Sequence, residues 1–192
     1  MASIPFSSSI ASDDISSLAT SLERRKIGSV RSKTGDNVVG VGEFALCDED
    51  GGYLVCLGLG SCVGIAIWDP NNKIGGLAHA MLPCYEFGRD KSNAAKYADT
   101  AVFLMVDELI EKGAKKSSLR AKMAGGAQMF QFATNDMLNI GLKNAESARL
   151  ALMKEGVPLI SEDCGGNKGR TVFFYPSTGT YRISKGQETY EI

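Results

Sequence analysis

The chain has 192 residues, 44% of them apolar and 22% charged, with a net charge of −1. That suits one globular domain with an ordinary core, with or without a tail, and offers no basic surplus to release counterions from DNA or RNA. No apolar run approaches the roughly 20 residues needed to cross a bilayer, so neither a nucleic-acid nor a membrane-inserted role is expected.

In chain order, residues 1–36 stand apart. Serine recurs, Glu23-Arg24-Arg25-Lys26 forms a charge cluster, and Ile15, Leu18, Ala19 and Leu22 would share one face of a short helix over 13–26. This reads as a mobile N-terminal extension, part helical, and not as a signal peptide, because no basic start leads into an apolar segment. Residues 37–192 read as a single domain. Segments 38–46 and 52–59 look like strands joined by the acidic turn at 47–51, and 63–69 and 73–82 like strands joined by Pro70-Asn71-Asn72, each pair as a hairpin.

A helix is expected over 93–112, with Ala94, Tyr97, Ala98, Ala101, Val102, Met105, Leu109 and Ile110 on its apolar face. Ser92 can cap its start and Gly113 ends it. A strand follows at 119–125, a second helix at 144–155 ending on Gly156, and closing strands at 157–164, 171–176 and 180–184. The mixture is a β-rich α/β domain whose helices cover one sheet face.

The 55–84 stretch holds the only histidine, His79, and three of five cysteines, Cys56, Cys62 and Cys84. An odd cysteine number without repeating spacing reads as reduced thiols of a cytoplasmic protein. A turn centred between Pro70 and Asn71 places Cys62 directly opposite His79, with Cβ atoms about 4.5–5.5 Å apart. Cys62 then shares its face with Gly64 and Ala66, small neighbours that leave room for a ligand, while Val63, Ile65, Ile67 and Ile74 face the core. A hairpin apolar on both faces implies more than two layers.

A histidine beside a thiol can take its proton, and the thiolate attacks amide, ester or thioester carbonyls. The Gly58-Leu59-Gly60-Ser61 approach suits a loop whose amides, at Gly60 and Ser61, hold an oxyanion. Three other readings compete. In one, Cys62 and His79 are plain core residues. Cys56, Cys62, His79 and Cys84 could bind zinc, although their spacing lacks the usual tight knuckle. Gly58–Ser61 could cradle phosphate, but no lysine follows the glycines.

The segments GLGSCVGIAIWDP and GGLAHAMLP, followed by KYADTAV, AKMAGGAQMF, NIGLKN and EDCGGNKGRTV in that order, resemble the CheD family of chemoreceptor glutamine deamidases. The resemblance covers residues 38 to about 190. It implies an α/β layered sandwich of two packed mixed β-sheets with helices covering one side. It implies conversion of glutamine to glutamate on the cytoplasmic helices of chemoreceptors, with possible methylesterase activity, no metal or cofactor, and a CheC-type phosphatase as partner. Its nucleophile falls on Cys62 and its histidine on His79. One departure is clear: the threonine the family commonly carries six residues before the nucleophile is Cys56 here, which makes Cys56 a candidate third site residue, with a backbone carbonyl or water orienting the histidine, or a third member elsewhere in the chain, as the alternatives. Met129 and Phe130 are candidates for partner binding.

Overall fold

Short apolar segments rich in β-branched residues build two sheets, because each strand finds cover on one or both faces. The computed structural model describes residues 37–48, 52–128 and 139–192. The expected N-terminal extension and its helix lie outside the described residues, as do Met129 and Phe130. Nine strands are present among the described residues: β1 (Phe44–Cys47), β2 (Leu54–Leu59), β3 (Val63–Asp69), β4 (Ile74–Ala80), β5 (Arg120–Gly125), β6 (Leu159–Cys164), β7 (Arg170–Tyr175), β8 (Thr180–Lys185) and β9 (Glu188–Glu191). Helix α1 spans Ala98–Glu111 and α2 spans Ile140–Glu155.

One sheet has the order β1-β4-β3-β5-β6 and the other β2-β7-β8-β9. The first is mixed, since β5 and β6 run parallel with α2 between them in the chain, whereas every pairing in the second is antiparallel. Both helices cover the outer face of the five-stranded sheet, where Val63, Ile65, Ile67 and Met123 meet Ala101, Met105, Leu109 and Ala148. Its inner face, with Ala66, Trp68 and Leu77, packs on Val172, Phe174, Tyr181 and Ile183 of the second sheet. The protein is thus an α/β layered sandwich with its helices on one side.

Two hairpin expectations need correction. Strands β1 and β2 do not pair: β1 lies on β4 and β2 on β7, in different sheets. The acidic turn marks a crossing between layers, and a local turn signal cannot tell the two cases apart. The β3–β4 hairpin forms, but Gly64 and not Cys62 stands opposite His79. Its loop runs Pro70–Lys73, with Lys73 at φ 52°. Asp69 organises that loop: Oδ1 accepts from Asn71 N at 2.9 Å, and Oδ2 accepts from Asn72 Nδ2 at 2.8 Å and Lys115 N at 2.8 Å. Burial acts to raise the Asp69 carboxyl, yet these donors hold it below its usual range.

The helices depart less. A short 3-10 turn (Ala94–Lys96), capped by Asn93 rather than Ser92, precedes α1. Helix α2 begins four residues before the expected start and ends, as expected, on Gly156 in the left-handed region. Strand β9 has no counterpart in the sequence reading, since Glu188–Glu191 carries no apolar alternation and forms by pairing with β8.

Candidate active site

Cys62 sits just before β3, half-buried at the end of a central strand. Three consecutive carbonyls leading to it are taken up by the protein. Gly60 O accepts from Ala127 N at 2.7 Å, Ser61 O from Asn144 Nδ2 at 2.8 Å, and Cys62 O from Gly126 N at 2.8 Å. The loop is therefore gripped by the end of β5 and by α2, with Sγ left at the surface of the inter-sheet core.

All five thiols are raised by burial, but they differ in what acts next. Cys47 and Cys84 are pushed up to about 11 and Cys164 to about 12, in each case with a nearby carboxylate adding to burial. For Cys62 the second influence is its own backbone amide, which favours the thiolate and partly offsets burial. Backbone donors also act on partly exposed Cys84, so what sets Cys62 apart among the described residues is the absence of an opposing carboxylate and its place at the end of a central strand.

His79 is buried in β4 on the same face as Cys62, because the register differs from direct opposition by two residues and parity is kept. In a regular ladder that diagonal relation spans about 7–8 Å. The imidazole Nδ1 lies 3.3 Å from Val39 O, and that carbonyl fixes the tautomer with the proton on Nδ1 and the lone pair on Nε2. Burial lowers the His79 pKa, against smaller upward pulls from the Val39 carbonyl and the Glu43 carboxylate. Burial thus favours the uncharged forms of both groups, thiol and neutral imidazole.

The small residues on this face have a different use from the expected ligand space. A Cβ on Gly64 would lie 2.8 Å from Tyr181 Oη and 3.0 Å from Leu59 Cδ1. Tyr181 Oη donates to Gly64 O at 2.9 Å. Gly64 therefore admits the second sheet rather than a ligand.

Cys56 is fully buried in β2, within electrostatic reach of Cys62, and its Sγ donates to Ala78 O at 3.9 Å rather than to His79. Carbonyl Val39 O holds the imidazole, in the place the sequence reading left to a carbonyl or water. Restoring the hydroxyl with Cys56→Thr is accordingly expected to change turnover by less than about fivefold, since the bond to His79 stays in place. Steady-state rates on one glutamine substrate check this, and a gain above tenfold would show that position 56 orients His79 after all.

The four candidate zinc ligands do not converge: among the described residues no three His, Cys, Asp or Glu side chains lie close enough to hold a metal ion. A cleft of about 190 Å³, lined by Gly126, Asn139, Leu142, Arg149, Cys164 and Gly165, lies against α2, and neither Cys62 nor His79 lines it. Sequence reasoning missed two participants, Val39 and Asn144, both of which act through long-range bonds.

Fold and site define a two-sheet α/β protein that presents a cysteine at the end of a central strand, with a buried histidine on the same face. The family model described as CheD chemotactic sensory transduction matches residues 81–185. The chain is 46% identical over 153 residues to a probable chemoreceptor glutamine deamidase CheD of Archaeoglobus fulgidus, covering 79% of this chain and 95% of that protein. It is 50% identical over 123 residues to the chemoreceptor glutamine deamidase CheD of Halalkalibacterium halodurans, covering 63% of this chain and 76% of that one. The chain belongs to the CheD family. Among solved structures it is similar to YlmD from Geobacillus stearothermophilus, with TM-score 0.43 and 21% identity over 66% of this chain and 51% of that one. No helix among the described residues is long and apolar enough to cross a membrane.

Proposed function

We propose that the chain is a protein-glutamine deamidase of chemotaxis, acting on the cytoplasmic helices of chemoreceptors with Cys62 as nucleophile and His79 as acid and base. One observation carries this reading: in a CheD-family chain, Cys62 is a partly exposed thiol at the end of a central strand, on a loop whose carbonyls at 60, 61 and 62 are engaged, with buried His79 on the same face. His79 takes the Cys62 proton as Sγ attacks the carboxamide carbon, and amides of the Ser61–Cys62 loop hold the oxyanion. The imidazolium then gives that proton to the departing nitrogen, ammonia leaves, and a thioester remains. Water attacks the thioester with His79 taking its proton, which returns to Sγ as glutamate is released. A receptor glutamyl methyl ester follows the same route with methanol leaving.

In this reading residues 37–192 form the catalytic domain, and a CheC-type phosphatase is the regulatory partner, engaged through the segment beyond Ala127 that includes Met129 and Phe130. The test is incubation with a receptor cytoplasmic fragment, following ammonia release together with a mass gain of about one dalton at a glutamine, the change expected when cysteine chemistry hydrolyses an amide. Binding to receptor and to a CheC-type phosphatase without any mass change would replace the enzyme with a non-catalytic binding module.

A further inference from the structure

Two chain segments meet at the site, one leading into Cys62 and one leaving His79. A single side chain ties them together. Asn144, on the second turn of α2, donates Nδ2 to Ser61 O at 2.8 Å and to Met81 O at 3.0 Å. It is fully buried, and its Oδ1 has no hydrogen-bond partner. The position lies on the helix face of Gly141, Ala145 and Ala148, all buried.

For stability alone this is a poor residue. Asparagine is a weak helix former, and an orphaned buried oxygen is costly. What the position supplies is a pair of donors aimed at the two site-bearing segments. The helix is placed for it: a Cβ on Gly141 would lie 2.5 Å from Gly126 O and 2.8 Å from Ala127 O. The start of α2 therefore rests on the same backbone whose amides grip Cys62 O and Gly60 O.

The Ser61 carbonyl and the Cys62 amide belong to one planar trans peptide group, so holding the oxygen aims the N–H the opposite way. That amide is the group that favours the Cys62 thiolate against burial. We infer that Asn144 is a positioning residue for the reaction, fixing the Cys62 amide as thiolate and oxyanion donor and setting the Cys62 segment against the His79 strand. The inference rests on the reading of Cys62 and His79 as the reacting pair.

The test compares wild type with Asn144→Ala, Asn144→Ser and Ser147→Ala. The last removes another α2 bond, to Pro83 O, without touching the Cys62 loop. Two readouts are taken: the pH profile of iodoacetamide alkylation, read by mass on the Cys62 peptide, and kcat and KM for glutamine deamidation. In Asn144→Ala the alkylation midpoint is expected to rise by about one pH unit, a tenfold loss of thiolate at neutral pH. Its kcat is expected to fall about 30–100-fold with KM changed less than threefold, the pattern of a lost transition-state contact. Asn144→Ser, which keeps one donor, should fall between, and Ser147→Ala should lose melting temperature only. An unchanged alkylation midpoint and kcat in folded Asn144→Ala, or a Ser147→Ala shift of equal size, would overturn the assignment. If wild type deamidates nothing, the proposed function fails, while the alkylation profiles still decide whether Asn144 positions the Cys62 amide.

Discussion

Cys62→Ala is expected to leave no glutamine deamidation above background, and His79→Gln to lower kcat by about 10²–10⁴, the range for losing a general acid–base. Both variants should fold, since Cys62 is half-buried at a strand end and glutamine keeps polar atoms near Val39 O. The pH dependence separates the roles. Burial lowers the His79 pKa from 6.5 and raises that of Cys62 from 9.0, directions that favour thiol and neutral imidazole over a thiolate–imidazolium pair. Alkylation of Cys62 should therefore climb through and beyond pH 9, without the acidic plateau that an ion pair would give. Turnover should show an acid limb below pH 6.5, where His79 takes a proton and is lost as a base, and that limb should vanish in His79→Gln. A low-pH alkylation plateau, or an acid limb that persists without His79, would contradict this assignment.

The site was legible in the sequence to the extent that it depends on parity. Cys62 and His79 share a face because the true register differs from the inferred one by an even number of residues. The offset comes from Asp69, which gathers the amides of Asn71, Asn72 and Lys115 and lengthens the turn to end at Lys73. Lys115 comes from a distant part of the chain, which a reading of the turn alone does not include. Val39 was invisible for a related reason: its carbonyl meets His79 only because the segment before β1 pairs with Val55 at the edge of the second sheet. Asn144 did carry a signal. As the first residue of the expected 144–155 helix it raises no conflict with an apolar face. Extending the helix to Ile140 sets it among Gly141, Ala145 and Ala148, a polar residue on an apolar face.

The same logic explains the two-sheet architecture. The helices and strands followed from apolar periodicity, and β3 and β4 were recognised as covered on both faces because their apolar runs are unbroken. Which strand pairs with which did not follow. β1 and β2 are adjacent in sequence, yet each finds a more distant partner, so that one closes the helix-covered sheet and the other starts the second sheet. The small residues Gly64 and Gly75 record that packing: a Cβ on Gly64 would lie 2.8 Å from Tyr181 Oη, and one on Gly75 would lie 3.0 Å from Phe174 Cε1. The sequence reading took such gaps for substrate space, although they are filled by the opposite sheet.

Gly125→Ala is the substitution expected to damage stability and chemistry together. Gly125 has φ 120°, a conformation that L side chains rarely adopt, and it ends β5 opposite Val63. An added Cβ would lie 2.2 Å from Cys62 O and 3.1 Å from Val63 Cα, both backbone atoms that cannot swing away. Relief requires the Cys62 carbonyl to move, which breaks the 2.8 Å bond from Gly126 N and frees the loop that carries the nucleophile. The backbone strain alone costs about 1–3 kcal/mol, and the displaced strand pairing adds to it, giving a loss of roughly 3–5 kcal/mol and a Tm lower by about 10 °C. Gly113→Ala is the matched control: its φ is 98°, but nothing lies within 4 Å of the new Cβ, so it carries the strain without the collision. Thermal melts of the two variants isolate the contact with Cys62 O. Alkylation of the Cys62 peptide then reports the loop, and the pH midpoint should rise in Gly125→Ala and stay in place in Gly113→Ala. Equal Tm losses in the two variants, with the Cys62 profile unmoved in both, would show that β5 does not hold the nucleophile loop.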